Sequence, residues 1–432
     1  MRLLNAALRR LQPQKYAQPP KTVNVPALLM CGLGLLFYCY EYYLRVAPSV
    51  MADQLRQSFG LGEAAFGHLA ACYYYAYTPM QIPVGVMIDR FGLRRILAIA
   101  CLACAMGTYL LAETPYFFMA QVGRFLVGFG SAFAYVGVLK LSDLWLPRKY
   151  FALMAGIATT LGMVGASGGQ MLMTALVERY DWRNTLEYGA AAGVLLTLLL
   201  WCCLRDKKEP APIAASRAAL HDSAFLPLDS LKEIMRSRQI WINGTIGCLT
   251  FLPLSGFAET WTVSFLRALE FSKEEAALGS SMLFFGFACG GPLWGLISEK
   301  MRSRRLPLIF GSFVSAIFMA WVIFMPMASV HGMYALLFAA SFFASAEILV
   351  FAVSNDIVRS SVSATAASFT NMITMIGGMV LPPLIGRLLD RSLAVDQVLS
   401  MQDYAYALAA LPIALMVAGA LSVVQKESYP KA

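Results

Sequence analysis

Two oppositely charged residues lie four positions apart inside a long apolar segment near the start of the chain. These are Glu41 and Arg45, and Tyr38 and Tyr42 lie beside them. A spacing of four places both charges on one face of an α-helix. A guanidinium group binds a carboxylate or phosphate through two parallel hydrogen bonds, and a neighbouring acid can carry a proton. The pattern predicts a site for an anion or a zwitterion. A structural ion pair is the alternative interpretation.

Three further charges, Arg124, Glu259 and Glu347, also lie inside apolar segments. A charge at the centre of a bilayer costs about 2.5–3.5 kcal/mol on insertion scales, so each requires a partner or a water-filled cavity. Pro253 and Gly256 precede Glu259 and predict an irregular helix there. We predict that one or more of three acids couples to protons: Glu41, Glu259 and Glu347. We predict that seven residues contact substrate: Arg45, Tyr38, Tyr42, Arg124, Tyr74, Trp261 and Asn371.

Tyr74 belongs to a group of four tyrosines in the second apolar segment, together with Tyr73, Tyr75 and Tyr77. Consecutive residues of a helix do not share a face. We therefore expect two of the four to line a cavity and the others to pack against neighbouring helices. Core packing of the whole group is the alternative.

The elements that position these residues are membrane-spanning helices. The chain has 432 residues, of which 59% are hydrophobic and 14% charged, whereas a soluble domain carries about 25% charged residues. Because a span needs about 20 apolar residues, there is room for about twelve spans. The net charge of +9 comes from basic residues in short loops, which is typical of topology signals and not of a nucleic-acid surface. No phosphate-binding loop or zinc-protease motif is present, so we expect no enzyme activity and no cofactor.

The basic loops also predict the orientation and the domain boundaries. Most lysines and arginines fall in loops on the side of the N-terminus, which places both termini in the cytosol. The predicted parts are a cytosolic tail at 1–25, a six-helix bundle at 26–204, a cytosolic linker at 205–238, a second six-helix bundle at 239–424 and a cytosolic tail at 425–432.

One loop pattern occurs twice. Gly85, Asp89, Arg90, Arg94 and Arg95 follow the second span, and a glycine, an acid and basic residues recur at the same offsets after the eighth span, with Glu299 as the acid. A duplicated six-helix unit explains this repeat. We predict that Asp89 forms a cytosolic latch with the start of span eleven, and that Arg90, Arg94 and Arg95 reach Asp143. An acid at a helix N-terminus gains about 0.3–1 kcal/mol.

The segment Gly85–Arg95 matches the signature G-x-x-x-D-R-x-G-x-R-R, and Arg124–Gly130 matches R-x-x-x-G-x-G. In these motifs the chain resembles the major facilitator superfamily over its whole length. The resemblance implies an all-α membrane protein with two six-helix bundles, in which spans one, four, seven and ten surround a central cavity. Those are the spans that carry the embedded charges.

Span one is similar to those of the organophosphate:phosphate antiporters and of the sialin-like anion:cation symporters. Span seven lacks the central arginine of the phosphate antiporters, and Gly165–Gly169 lacks the proline of the drug-antiporter signature. The hypothesis is a secondary active transporter that symports protons with a small organic anion or zwitterion. An efflux antiporter is the main alternative, and a membrane-embedded enzyme or receptor is a third. The expected partners are a small-molecule substrate, protons and the lipid bilayer, with no nucleic acid, and the chain is expected to be a monomer in a bacterial inner membrane.

Overall fold

The computed structural model describes residues 24–147, 150–206, 228–359, 362–396 and 399–429, and no strand occurs in these ranges. Most of the predicted N-terminal tail, the middle of the predicted linker (207–227) and the last three residues lie outside the described residues. Eleven helical segments in the described part of the chain are long and apolar enough to cross a membrane. The second predicted span, which is divided between two helices, is not among these eleven.

The first six spans form one bundle. Their bounds, with the short helices that accompany them, are Val25–Arg45 with Ala47–Val50 for span one, Ala52–Phe59 in the following loop, Glu63–Met80 and Val84–Phe91 for span two, Leu93–Glu113 for span three, Phe117–Trp145 for span four, Phe151–Tyr180 for span five and Trp182–Cys203 for span six.

The second bundle follows the short helix Leu228–Arg236, which lies within the predicted linker. Its bounds are Arg238–Leu252, Pro253–Trp261 and Thr262–Ala268 for span seven, Lys273–Met301 for span eight, Arg305–Phe324 for span nine, Val330–Ala344, Ser345–Ile348 and Leu349–Asp356 for span ten, Ser363–Asp396 for span eleven and Met401–Leu408 with Ala410–Val424 for span twelve.

Span two departs from the continuous segment that its apolar run, Ala64–Ile88, predicts. Residues 81–83 form a turn between two helices. Pro83 has no backbone N–H to donate, and a proline ring clashes with the carbonyl group four residues earlier, so the helix ends before it. The apolar run did not indicate this break, which separates the tyrosine-rich half of the span from Asp89.

The two bundles meet mainly along two pairs of spans, two with eleven and five with eight. In the first pair the backbones come close because glycines remove the side chain at the crossing. A Cβ atom on Gly67 would lie 3.0 Å from the Cα atom of Pro383, and one on Gly386 would lie 2.7 Å from the Cα atom of Ala64. We call the side of the molecule where span one begins and span twelve ends the terminal face, and the other side the opposite face.

Gly128 in span four allows an equally close approach to span two. An added methyl group would lie 2.6 Å from the carbonyl carbon of Tyr73. We expect Gly128→Ala to destabilise the protein by about 1–3 kcal/mol, since the two helices must separate. The melting temperature of detergent-solubilised protein should fall. Gly156→Ala in span five is the control, because no described heavy atom beyond its chain neighbours and its own helix backbone lies within 4 Å of the added methyl. Equal melting temperatures for the two variants would argue against the close approach.

Candidate functional site

Two of the embedded acids lie where their helices are irregular. Glu259 lies in the π-helical segment Pro253–Trp261, and Glu347 lies in the 3₁₀ turn Ser345–Ile348. Such segments shift the direction of side chains relative to a regular helix and are frequent at functional sites. In span seven Pro253, which lacks an N–H, and Gly256, which has no side chain, account for the irregularity that the sequence predicts.

Arg45 and Glu41 form a buried ion pair on span one. The Arg45 side chain is 2% exposed and that of Glu41 is fully buried. Arg45 Nε donates to Glu41 Oε1 at 3.1 Å, and Nη2 contacts the same oxygen. The hydroxyl of Tyr73 also donates to Glu41 Oε1, at 2.5 Å. A single carboxylate oxygen of Glu41 therefore contacts two nitrogen atoms of Arg45 and the hydroxyl of Tyr73.

Glu259 approaches Arg45 from the other bundle. Its Oε1 atom lies 3.7 Å from Arg45 Nη1, and its Oε2 atom accepts a hydrogen bond of 2.5 Å from the hydroxyl of Tyr74. Oε1 has no hydrogen-bond partner among the described residues. Arg45 thus lies between two acids, one from each bundle. We call Arg45, Glu41, Glu259 and the tyrosines that touch them the Arg45 cluster.

Aromatic rings surround the guanidinium group of Arg45. Its central carbon lies 4.4 Å from the ring centre of Tyr42, 5.1 Å from Tyr73 and 5.0 Å from Tyr77, which are cation–π distances. Tyr38 lies one layer further out and packs against Tyr42 at 5.1 Å.

Three of the four tyrosines in span two belong to the Arg45 cluster, and the expectation that two of them line a cavity stays a prediction. Tyr73 and Tyr77 are four residues apart and share a face toward span one, whereas Tyr74 turns toward Glu259 of span seven. Because the Arg45 cluster includes residues of both span one and span seven, two adjacent residues of span two, Tyr73 and Tyr74, both belong to it. Tyr75 points elsewhere, and its hydroxyl lies 3.1 Å from His68 Nδ1. Tyr73 and Tyr77 were missed as individual site residues although their spacing was a usable signal.

Arg124 of span four contacts the end of span one. It donates from Nη1 to the carbonyl of Leu44 at 2.9 Å and from Nη2 to that of Arg45 at 3.4 Å. Carbonyl groups at a helix C-terminus have no partner within the helix, and they attract cations. The described hydrogen bonds of Arg124 go to these carbonyls and not to Glu41. Arg124 therefore fixes the end of the helix that carries Arg45.

The remaining predicted residues lie around or away from the Arg45 cluster. Trp261 is fully buried, two residues after Glu259, and packs against Phe66 at 5.5 Å. Asn371 donates to Gln81 at 2.7 Å across the two bundles. Glu347 is 2% exposed, and its Oε1 has no hydrogen-bond partner among the described residues. No described hydrogen bond or ion pair connects Glu347 with Arg45.

At the terminal face, the repeated loop pattern makes contacts within each bundle. Asp89 lies 2.9 Å from Nζ of Lys140 on span four, the helix that also carries Asp143. Arg94 donates from Nε to the carbonyl of Trp201 at 2.6 Å, and Arg90 lies over the Phe91 ring at 5.6 Å.

The second copy of the pattern pairs locally as well. Glu299 lies 2.8 Å from Arg304, which also contacts Asp356 at 3.2 Å. The latch between Asp89 and span eleven stays a prediction, for a state in which the bundles meet at this face.

At the opposite face, hydrogen bonds join the two bundles. The carboxylate of Asp390 on span eleven accepts from the backbone N–H groups of Glu63 at 2.7 Å and Ala64 at 2.9 Å, at the start of span two. Arg56 donates to Ser264 of span seven at 2.9 Å and pairs with Glu63 at 2.6 Å. We call these four side chains together with Ala64 the cross-bundle clasp. An acid at a helix N-terminus is stabilised by the positive end of the helix dipole.

Asp89 and Asp390 lie at opposite faces, so their neutral variants should shift the protein in opposite directions. We expect Asp89→Asn to favour the state that is open at the terminal face by about 1 kcal/mol, roughly fivefold in the ratio of states. Asp390→Asn should favour opening at the opposite face by a similar amount. Val263 lines a small cleft at the opposite face and is 6% exposed, which suits it as a reporter.

The measurement is labelling of Val263→Cys by an impermeant thiol reagent, with the parent protein giving the background from its native cysteines. Labelling should slow in Asp89→Asn and accelerate in Asp390→Asn. If Val263→Cys is labelled at the same rate alone, with Asp89→Asn and with Asp390→Asn, in correctly folded protein, both the latch and the gating role of the clasp are contradicted.

Comparison with known proteins agrees with this architecture. The family model of the Major Facilitator Superfamily matches residues 29–382. The chain is 23% identical over 384 residues to a probable sulfoacetate transporter of Cupriavidus necator, covering 85% of this chain and 88% of that protein. It is 24% identical over 388 residues to a probable galactarate/D-glucarate transporter of Escherichia coli K12, covering 80% and 83%. A 29% identical match to an uncharacterized transporter of Bacillus subtilis spans 60% of each chain.

Solved structures share the fold at low sequence identity. A bacterial homologue of the human lysosomal transporter Spinster, inward-facing and occupied, superposes with a TM-score of 0.75 at 18% identity, covering 91% of this chain and 96% of that one. A D-xylose-proton symporter superposes with a TM-score of 0.72 at 14% identity, covering 91% and 97%. With the family match extending over most of the chain, this protein is a multi-pass membrane transporter that belongs to the Major Facilitator Superfamily.

Proposed function

We propose that this transporter carries a small organic anion together with protons, and that Arg45 binds the anionic group. The observation that carries the proposal is the position of Arg45, buried between an acid of its own helix and an acid of the other bundle. A guanidinium in a water-poor site binds carboxylate or sulfonate oxygens strongly. Its place between the bundles lets both contact a bound substrate, as alternating access requires.

The charges around the site connect anion binding to proton binding. Arg45 and Arg124 supply two positive charges, and Glu41 and Glu259 supply two negative ones, so the group is neutral when all four are ionised. Burying an unpaired charge is costly. Uptake of one proton by an acid leaves one positive charge in excess, which a single anionic group of a substrate can balance.

The relatives support an organic acid as the substrate class. The names of two of them give sulfoacetate and galactarate or D-glucarate as their probable substrates. All three compounds carry two acidic groups. The hydroxyl groups of Tyr73 and Tyr74 already donate to Glu41 and Glu259. Those of Tyr42 and Tyr77 beside Arg45 can donate to additional oxygens of such a compound.

We further propose that the terminal face is cytosolic, that the protein acts as a monomer, and that it resides in a bacterial inner membrane. The loop charges support this orientation, because basic residues concentrate in cytosolic loops. The cross-bundle clasp would then block access from the outer side, as in an inward-facing transporter.

A thermal-shift screen of the purified protein tests the substrate class. We expect sulfoacetate, D-glucarate or galactarate to raise the melting temperature, because a ligand that binds the folded state stabilises it. Sorbitol, an uncharged polyol, should have no effect. Arg45→Ala should lose the response to the acids. Stabilisation by sorbitol, or by none of the acids, would contradict the proposal of an organic-anion transporter. The alternative of efflux antiport differs in the direction of proton movement.

A further inference from the structure

We propose that Glu259 occupies the position on Arg45 that the anionic group of the substrate takes, so that Glu259 must bind a proton before the anion can bind. This inference rests on the proposed function and specifies how the proton and the anion are coupled at the same site. It assigns the coupling step to an acid of the second bundle and gives Glu41 the different role of holding Arg45 in place.

The donor atoms of Arg45 are unequally engaged. Nε and Nη2 are both taken by Oε1 of Glu41, one turn earlier on the same helix. Rings of Tyr42, Tyr73 and Tyr77 pack around the guanidinium. The remaining terminal nitrogen, Nη1, faces Glu259 at 3.7 Å. This distance exceeds that of a hydrogen bond, so Nη1 is the least engaged donor of Arg45. An incoming anion would compete with Glu259 for this nitrogen.

Glu259 is also the acid that can move relative to Arg45. It belongs to the other bundle and lies in the π-helical segment of span seven, whereas Glu41 moves with Arg45 as one rigid helix. Its Oε1 atom, which faces Arg45, has no hydrogen-bond partner among the described residues. The Oε2 atom is bonded to Tyr74 at 2.5 Å. A phenol hydroxyl can donate to a carboxylate and accept from a carboxylic acid, so Tyr74 can hold Glu259 in both protonation states.

The charged and titratable side chains that face Glu259 come from three spans of the first bundle. Arg45 and Glu41 face it from span one, Tyr74 from span two and Arg124 from span four. Spans eight and eleven contact the same helical segment through Ser280 and Leu381, which are uncharged. Within the Arg45 cluster, Glu259 is the one negative charge that the second bundle places beside Arg45. A proton added to Glu259 therefore removes that charge.

Ionised Glu259 and a bound anion exclude each other. If the anion displaced Glu259 while it was ionised, a buried carboxylate would lose its positive partner, which is strongly unfavourable. If Glu259 first takes a proton from water onto its carboxylate, the displaced group is neutral and Arg45 is free to pair with the anion. When the anion leaves, the proton returns to water and Glu259 again approaches Arg45. One proton accompanies one anionic group.

The test is the pH dependence of binding in three proteins: wild type, Glu259→Gln and Glu275→Gln. The probes are sulfoacetate and D-glucarate, titrated by calorimetry from about pH 5 to about pH 8, where their acidic groups are already ionised. Wild-type affinity should fall with rising pH, approaching tenfold per pH unit once Glu259 is ionised, as linkage to one proton requires. Glu259→Gln imitates the protonated acid and should bind at every pH with the affinity that wild type reaches at the acidic end.

Glu275→Gln is the control, since it removes an acid at the start of span eight that has no described contact with Arg45 and caps its own helix at Ser272, as glutamine also can. This variant should keep the wild-type pH dependence. Glu259→Ala provides a second variant without the charge and should also bind independently of pH. An unchanged pH dependence in folded Glu259→Gln and Glu259→Ala would overturn the inference while leaving the proposed function intact, and so would a loss of binding in both. If neither probe binds wild type at any pH, the proposed function fails and the inference fails with it.

Discussion

Arg45→Ala is expected to abolish binding of the substrate while the protein still inserts and folds. Truncating one partner of a buried charge pair costs about 2–5 kcal/mol, which corresponds to roughly 30-fold to several thousand-fold in affinity. The measurement is calorimetric titration of the acids that stabilise wild type. Arg45→Lys should recover little, because an ammonium group is a point charge that does not engage two oxygens in the planar geometry of arginine.

The double variant Arg45→Ala with Glu41→Gln separates loss of the site from loss of the fold. Arg45→Ala alone leaves Glu41, which is fully buried, without its cation, and a buried unpaired carboxylate destabilises the protein. Neutralising Glu41 should restore the melting temperature toward that of wild type without restoring binding. Full transport by Arg45→Ala would contradict the assignment of Arg45 as the anion site.

At least one of the variants Glu41→Gln, Glu259→Gln and Glu347→Gln is expected to exchange substrate normally but to fail in uphill accumulation. Exchange needs only the loaded carrier to reorient, whereas accumulation needs a proton to leave on the far side. With one proton per substrate, a gradient of one pH unit supports about tenfold accumulation in wild type. The coupling variant should fall to equal concentrations on both sides.

The measurement is uptake of radiolabelled substrate into proteoliposomes, once with unlabelled substrate inside and once with an imposed pH difference. Glu259→Gln is the variant in which we most expect this loss, because Glu259 approaches Arg45 from the other bundle. Glu41 holds Arg45 in place, and Glu347 has no described contact with it. If all three variants still concentrate substrate as wild type does, proton coupling through these acids is wrong.

Much of the fold follows from the sequence because the bilayer constrains it. A chain with twelve long apolar segments can satisfy its backbone in lipid only as helices, and the repeated pattern around Asp89 and Glu299 indicates the duplication. The break in span two did not follow from the apolar run. A hydropathy value is averaged over a window, so it does not register a short turn inside an apolar segment. Pro79 and Pro83 were the local signals of the break.

The candidate site was predictable where its residues share one helix. Glu41 and Arg45 form the pair that their spacing indicates, since residues four apart face each other. The approach of Glu259 to Arg45 was not predictable, because it depends on how two bundles dock. The contacts of Arg124 with the carbonyls of Leu44 and Arg45 depend on where a neighbouring helix ends. Long-range docking of this kind leaves no periodic pattern in either segment.

The cross-bundle clasp shows the same limit. Asp390 and Arg56 lie near the ends of spans, where charged residues are common and carry little information. Their contacts with the start of span two and with Ser264 exist because spans two and eleven cross closely at Gly67 and Gly386. The glycines were visible in the sequence, but their partners were not.

The most direct test of anion–proton symport is the direction of proton movement that substrate drives. Proteoliposomes containing wild type and a pH-sensitive dye in the lumen receive D-glucarate outside, with no initial pH or voltage difference. We expect the lumen to acidify as substrate enters, and to stay unchanged with Arg45→Ala. Alkalinisation of the lumen during substrate entry would indicate antiport and contradict the account, as would substrate entry without any change in pH.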